Sequence, residues 1–211
     1  MEIFYLKSVG STHKYLQEYI KQNKYKNPIA IFTTSQTNGI GSRNNIWKGQ
    51  KDNFYLSFVL SKDKLPCDIQ MQSLSIYFSF ILKELLYSLD SKVWLKWPND
   101  FYLNNNKIGG TITTISKDLI YCGIGINFTN ISNEFESLDI NISAKELLKL
   151  YINELEKYPN WKQIFSKYLI EFHHSKKFYA TVDNKKVSLK NSILNDDGSI
   201  LIDNKKVFSL R

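Results

Sequence analysis

The sequence predicts an α+β fold, and three observations carry that reading. Residues 69–89 repeat apolar side chains at helical spacing, with Leu74, Phe78, Ile81, Leu82, Leu85, Leu86 and Leu89 on a shared face. Residues 93–128 read as successive strands joined by short turns. After residue 175 the pattern changes to very short β runs separated by turn residues, a small all-β module.

The elements follow in order. Residues 3–7 form an opening strand, and Ser11 and Thr12 are N-cap candidates for a helix whose Tyr15, Leu16, Tyr19 and Ile20 recur on one side until about Asn23. A β-branched run at 29–34 precedes the loop Asn38-Gly39-Ile40-Gly41-Ser42, and 54–60 is apolar enough for a buried strand. Beyond the long helix, strands at 93–97, 101–103, 107–115 and 119–128 form a meander that turns at Asn104-Asn105-Asn106. Ser143 with Glu146 makes a capping box for the next helix, and Asn160 caps another that runs to Phe172. Strands are then expected at 178–182, 186–189, 192–194, 200–202 and 207–209, with turns at Asp183-Asn184 and Asp196-Asp197-Gly198-Ser199. The domain division is therefore 1–175 and 176–211.

Composition bounds the function. The 211 residues hold one domain and a small appendage, and 43% apolar with 23% charged residues is a core-forming balance. Two cysteines, Cys67 and Cys122, and three histidines, His13, His173 and His174, provide no paired zinc spacing, and no disulfide is expected. Apolar stretches are short and the N-terminus lacks the pattern of a secretory leader, so a cytoplasmic protein without a membrane segment is expected. The net charge of +8 favours anionic partners, whether nucleotides, nucleic acid or acidic proteins, and a solvated basic surface would give the same excess.

Four segments carry chemistry-bearing residues. Gln36 to Trp47 contains Gly39, Gly41 and Arg43 between two strands; its glycines permit close backbone approach, and its N–H groups with Arg43 suit a phosphate. It is neither a dinucleotide fingerprint nor a P-loop, and an ordinary turn would look similar. Lys96-Trp97-Pro98-Asn99-Asp100 places an amide and a carboxylate at a turn, where they either make the turn or stand beside a nucleotide and its magnesium. Lys107-Ile108-Gly109-Gly110 sets a cation before two glycines, and Gly123-Ile124-Gly125-Ile126-Asn127 leaves one strand face bare. A hairpin lysine in water and a close-packed sheet are the bland alternatives.

In this order the four segments resemble the biotin protein ligases, with Ser11-Thr12-His13 similar to the family's Ser-Thr-Asn and Phe208-Ser209-Leu210-Arg211 similar to its C-terminal end. The resemblance implies a mixed β-sheet backed by helices, of the class II aminoacyl-tRNA synthetase and lipoyl-transferase type, with a small C-terminal SH3-like β-barrel. It implies ATP-dependent activation of biotin to biotinyl-5′-AMP and transfer to a lysine of a biotin carboxyl carrier domain, with ATP, magnesium and biotin as ligands. Ser11, Thr12, His13, Gln36, Gly39, Ile40, Gly41, Ser42, Lys107, Gly109 and Gly110 would then contact biotin. Arg43, Asn44, Trp47, Asn99, Asp100, Gly125 and Asn127 would hold the nucleotide side. Lys107 and Arg43 would be catalytic, and Asp100 would assist magnesium.

Departures from the family pattern matter too. Three loop arginines of the family appear here as Ile40, Ser42 and Asn45, leaving Arg43, which predicts looser retention of the acyl-adenylate. The acidic residue usual after the Lys-x-x-Gly strand is absent from Thr111-Ile112-Thr113-Thr114, and His13 replaces an amide. Because the match begins by residue 11, a monofunctional ligase without specific DNA binding is expected. The alternatives are a lipoate–protein ligase or octanoyltransferase, which share the fold, and a noncatalytic basic nucleic-acid-binding protein.

Overall fold

The computed structural model describes residues 1–41, 46–47, 51–129, 136–183 and 185–208. In chain order its elements begin with β1 (Glu2–Tyr5), α1 (Thr12–Asn23), β2 (Ile29–Thr33), β3 (Gly39–Ile40), β4 (Ile46–Trp47) and β5 (Phe54–Ser61). There follow α2 (Leu74–Ser88), β6 (Trp94–Lys96), β7 (Asp100–Leu103), β8 (Asn106–Ser116) and β9 (Leu119–Ile126). The chain continues with α3 (Ala144–Leu155), α4 (Trp161–Glu171), β10 (Tyr179–Val182), β11 (Lys185–Ser188), β12 (Ile193–Leu194), β13 (Ile200–Ile202) and β14 (Lys205–Val207).

Seven strands form one mixed sheet in the order β1-β2-β5-β9-β8-β7-β6. β1 and β2 are parallel, joined through the α1 crossover that parallel pairing requires, and the remaining neighbours are antiparallel. Strand alternation sorts side chains between the faces. Ala30 and Phe32, then Phe54, Leu56, Phe58 and Leu60, then Ile120, Cys122, Ile124 and Ile126 enter the main core on one side. Ile29, Ile31, Val59 and Tyr121 pack on the other against Leu16 and Ile20 of α1.

Local chemistry sets the helix ends. Ser11 is extended and its side chain accepts from the Lys14 N–H, while Lys24 at φ 60 ends the helix with its N–H on the Ile20 carbonyl. Ser143 and Asn160 accept from Glu146 N and Gln163 N in the same manner. The long helix starts at Leu74 and not near Ile69, because residues 71–73 form a 3-10 turn and the Ser73 hydroxyl donates to the Asp197 carbonyl at 2.5 Å instead of capping. Apolar nearly all round, α2 is sandwiched between the sheet and helices α3 and α4.

Residues after 178 form a two-stranded sheet, β10-β11, and a three-stranded sheet, β12-β13-β14. Their Ala180, Leu189, Ile200, Ile202 and Val207 join the main core and bury no separate one. The turn at Asp196 to Ser199 is a docking plug. Trp161 Nε1 donates to the Asp196 carbonyl at 2.7 Å and Trp97 Nε1 to the Gly198 carbonyl at 2.9 Å. Gly198 has φ +74, and a Cβ there would stand 2.8 Å from Ile76 Cδ1. Among the described residues no helix is long and apolar enough to cross a membrane.

Candidate active site

The sheet face on the α1 side is bare at its centre. Gly125 pairs with Tyr55 and Gly110, and Gly123 with Ser57 and Ile112, so two glycines of β9 and one of β8 open a floor between larger neighbours. Over this floor lies a cleft lined by Ser11, Thr12, His13, Gln36, Ile40 and Gly41 on one side. Trp47, Asn99, Asp100 and Lys107 border the other.

The spacing of Lys107 and Gly110 is explained by a bulge. Phe101 pairs with Gly109 and Tyr102 with Lys107, leaving Ile108 as an extra residue on β8. Plain alternation would put residues three apart on opposite faces; the extra residue sends Ile108 into the core and brings Lys107 Nζ to 3.5 Å from where a Gly110 Cβ would stand. Gly109 answers a different need. A Cβ there would meet Ile126 Cδ1 at 2.5 Å and the Gly125 carbonyl at 2.6 Å, so it serves sheet packing and does not line the cleft.

One end of the cleft is polar. Thr12 donates from both its N–H and its hydroxyl to Gln36 Oε1, at 2.9 and 3.2 Å, and its hydroxyl lies 2.8 Å from Ser57 Oγ. His13 is 6% exposed, and its Nδ1 has no partner among the described residues. Burial lowers its pKa from 6.5 to about 4, so the ring is neutral at pH 7.

The other end is cationic. Lys107 Nζ lies 2.6 Å from Asp100 Oδ1 and 5.6 Å from the centre of the Trp47 ring, whose edge covers Gly125 at 3.2 Å from a hypothetical Cβ. Lys96 Nζ stands 3.7 Å from Asp100 Oδ2, and burial, helped by Lys107, pulls the Lys96 pKa below the lysine range against Asp100. Asn99 is tied to β8, its side chain donating to the Thr111 carbonyl and its own carbonyl accepting from Thr111 N at 2.9 Å.

Asp100 is thus a carboxylate already neutralised by two ammonium groups. Among the described residues no group of three His, Cys, Asp or Glu side chains could hold a metal ion. With Lys107 on Oδ1 and Lys96 near Oδ2, Asp100 would offer magnesium a single carboxylate flanked by two ammonium groups.

Of the expected site residues, the cleft gathers Ser11, Thr12, His13, Gln36, Ile40, Gly41, Trp47, Asn99, Asp100, Lys107, Gly110 and Gly125. Gly39 and Asn127 are not in its lining. A Cβ on Gly39 would collide with Gln36 Nε2 at 2.5 Å, and Asn127 uses its backbone to join Ile108 and Leu138 at 2.8 Å each. Ser42, Arg43 and Asn44 lie outside the described residues, as do Asn45 and the terminal 209–211. Sequence reading missed Ser57, whose signal is a lone hydroxyl in the apolar run of β5, and the lining residues Tyr55 and Ile112.

A family model described as the Biotin/lipoate A/B protein ligase family matches residues 5–127. The structure of biotin acetyl coenzyme A carboxylase synthetase from Helicobacter pylori, with bound biotinylated ATP, matches at TM-score 0.93 and 40% identity, covering 98% of this chain and 99% of that one. Biotin protein ligase from Aquifex aeolicus, in complex with biotin and ATP, shares the fold at TM-score 0.73 and 22% identity, covering 100% and 98%. The bifunctional ligase/repressor BirA of Escherichia coli is 28% identical over 164 residues, 70% of this chain and 50% of the relative. The chain spans about half the length of the curated relatives it matches. On the family match and the near-complete structural likeness together, the chain belongs to the biotin/lipoate A/B protein ligase family.

Proposed function

We propose that this chain is an ATP-dependent biotin protein ligase, which forms biotinyl-5′-AMP with release of pyrophosphate and passes the biotinyl group to a lysine of a carrier domain. The observation that carries the proposal is the polarity of a single cleft: neutral hydrogen-bonding groups at one end and Lys107 at the other. That order suits biotin, whose cyclic urea needs donors and acceptors and whose carboxylate needs a cation. The dithiolane of a lipoyl group has no N–H or C=O to match Thr12, Gln36, Ser57 and His13.

In the first step a biotin carboxylate oxygen bonds to the α-phosphorus of ATP and the bond to the β-phosphate oxygen breaks. In the second, the acceptor lysine amine attacks the acyl carbon, AMP leaves, and the amine loses a proton. This chemistry depends on alignment and on charge neutralisation more than on a strong acid or base. Lys107 is the described cation placed for both anions. Asp100 keeps that ammonium over Gly110 beside the Trp47 ring, which is the expected face for adenine. Arg43 is proposed to add a second cation from the loop between β3 and β4. Ser11, Thr12, His13 and Gln36 are proposed to hold the urea. Magnesium enters this scheme as the counter-ion of ATP, with no step assigned to it.

We assign residues 1–175 to the catalytic unit and 176–211 to a module of the SH3-like type, docked through Gly198, and an acidic carrier domain as the partner of the +8 surface. Pyrophosphate exchange into ATP tests the activity. It should require biotin and be unchanged by lipoate; exchange driven by lipoate alone would shift the assignment to the lipoyl branch.

A further inference from the structure

His13 is held from behind by two groups outside the cleft lining. Its Nε2 lies 3.2 Å from Thr114 Oγ1 and 3.4 Å from Gln17 Nε2, and Gln17 Nε2 also donates to Thr114 Oγ1 at 3.3 Å. Gln17 is one helical turn beyond His13 on α1, and Thr114 is on the neighbouring β8. Thr114 also stands in the stretch where relatives carry an acidic residue. His13, which departs from the family pattern, therefore contacts the Thr111 to Thr114 stretch.

Proton accounting fixes the polarity of this end of the cleft. The Thr114 hydroxyl can pair with either form of Nε2, whereas the Gln17 amide nitrogen can only donate, which favours Nε2 as the bare, accepting nitrogen of a neutral imidazole. The proton then sits on Nδ1, which is buried against Gly123 and unpartnered among the described residues. On the opposite side the Thr12 hydroxyl gives its proton to Gln36 Oε1, and Ser57 therefore gives its own to Thr12. Both hydroxyls offer lone pairs to the cleft. A ring with two N–H groups finds acceptors there, and its carbonyl lacks one donor.

We propose that Gln17 and Thr114 are positioning residues that lock His13 in the tautomer with its proton on Nδ1, making that N–H the donor for the carbonyl oxygen of the substrate's cyclic urea. The proposal rests on the biotin reading for the identity of the acceptor; the tautomer itself does not. A carboxylate at position 114 would instead draw the proton to Nε2 and turn Nδ1 into an acceptor.

The test is nitrogen NMR of the full chain carrying ¹⁵N-histidine. There are three histidines, so the His13→Asn variant identifies the relevant signals. The expected result is a protonated Nδ1 and a bare Nε2 at neutral pH, with the Nδ1–H signal moving on addition of biotin and not of ATP. In the double variant Thr114→Val, Gln17→Leu the tautomer preference should be lost and the KM for biotin should rise about tenfold with the KM for ATP held. Thr114→Ser alone should retain both. A proton on Nε2 in the wild type, or an unchanged biotin KM in the double variant, would overturn the assignment. Failure of the ligase reading is distinguishable: the wild type would then show no biotin-dependent exchange, whatever the tautomer.

Discussion

Gly109 and Gly123 divide by what a methyl group at each would meet. A Cβ on Gly109 would lie 2.6 Å from the Gly125 carbonyl oxygen, a backbone atom of the adjacent strand, and 2.5 Å from Ile126 Cδ1. Relief requires the β8-β9 ladder to part, an overpacking cost of about 1–3 kcal/mol that lowers Tm by roughly 2–12 °C in a chain of this size. A Cβ on Gly123 would meet only side chains, Ile112 Cγ1 at 3.1 Å, His13 Nδ1 at 3.2 Å and Ser57 Oγ at 3.3 Å. Each can yield by a few tenths of an ångström, so the Tm of Gly123→Ala should fall by under about 2 °C. Its methyl occupies the cleft floor, and a bound ring pays about 1–3 kcal/mol for the intrusion, roughly 5- to 150-fold in affinity. Thermal melting and calorimetric titration with biotin read the two effects separately. Gly123→Ala binding biotin as the wild type does, or Gly109→Ala keeping its Tm while losing biotin, would refute this division of labour.

Other consequences are equally direct. Lys107→Ala should lower kcat/KM for adenylation by about 10- to 150-fold, the loss of a charge-assisted contact of ~1.5–3 kcal/mol, with melting unchanged; steady-state exchange kinetics would show full activity if the role is wrong. Gly198→Ala combines φ +74 with a 2.8 Å approach to Ile76 Cδ1, so the docking plug should loosen, seen as a lower Tm and faster limited proteolysis within residues 195–200. His13 makes stability depend on pH. An unfolded histidine gains its proton near pH 6.5, whereas the folded one resists until about 4, so stability is full above 6.5 and falls as pH drops toward 4. The loss is roughly 3 kcal/mol at ~1.4 kcal/mol per pH unit, and urea unfolding of wild type and His13→Asn at pH 7 and 4.5 should show the pH-dependent difference between them. Equal pH dependence in both would remove His13 from this account.

Local chemistry was legible in the sequence where one residue acts on its own neighbourhood. Ser11, Ser143 and Asn160 cap as their positions imply, and the alternation of Gly123, Ile124, Gly125 and Ile126 divides floor from core. Features made by distant partners were not legible. Period-two reading separates Lys107 from Gly110, and only the bulge at Ile108, set by pairing with β7, reunites them. Trp97 lies in a motif read as part of the site, yet it is fully buried and carries the Gly198 contact, so it supports the turn at Asn99 and Asp100 from behind. The turn at Asp196 to Ser199 has ordinary turn composition, and its docking role depends on Ser73, Trp97 and Trp161, which are remote in the chain. Asp100 reads as a metal-facing carboxylate by composition, and its two lysine neighbours change that reading.

The central claim, that one cleft joins a urea-binding end to a cation that aligns biotin with ATP, is tested most directly by exchange of labelled pyrophosphate into ATP. Exchange is expected with the wild-type chain only when biotin is present, with a reduction of about 10- to 150-fold in folded Lys107→Ala. Exchange independent of biotin, or none from a folded chain supplied with biotin, ATP and magnesium, would contradict it.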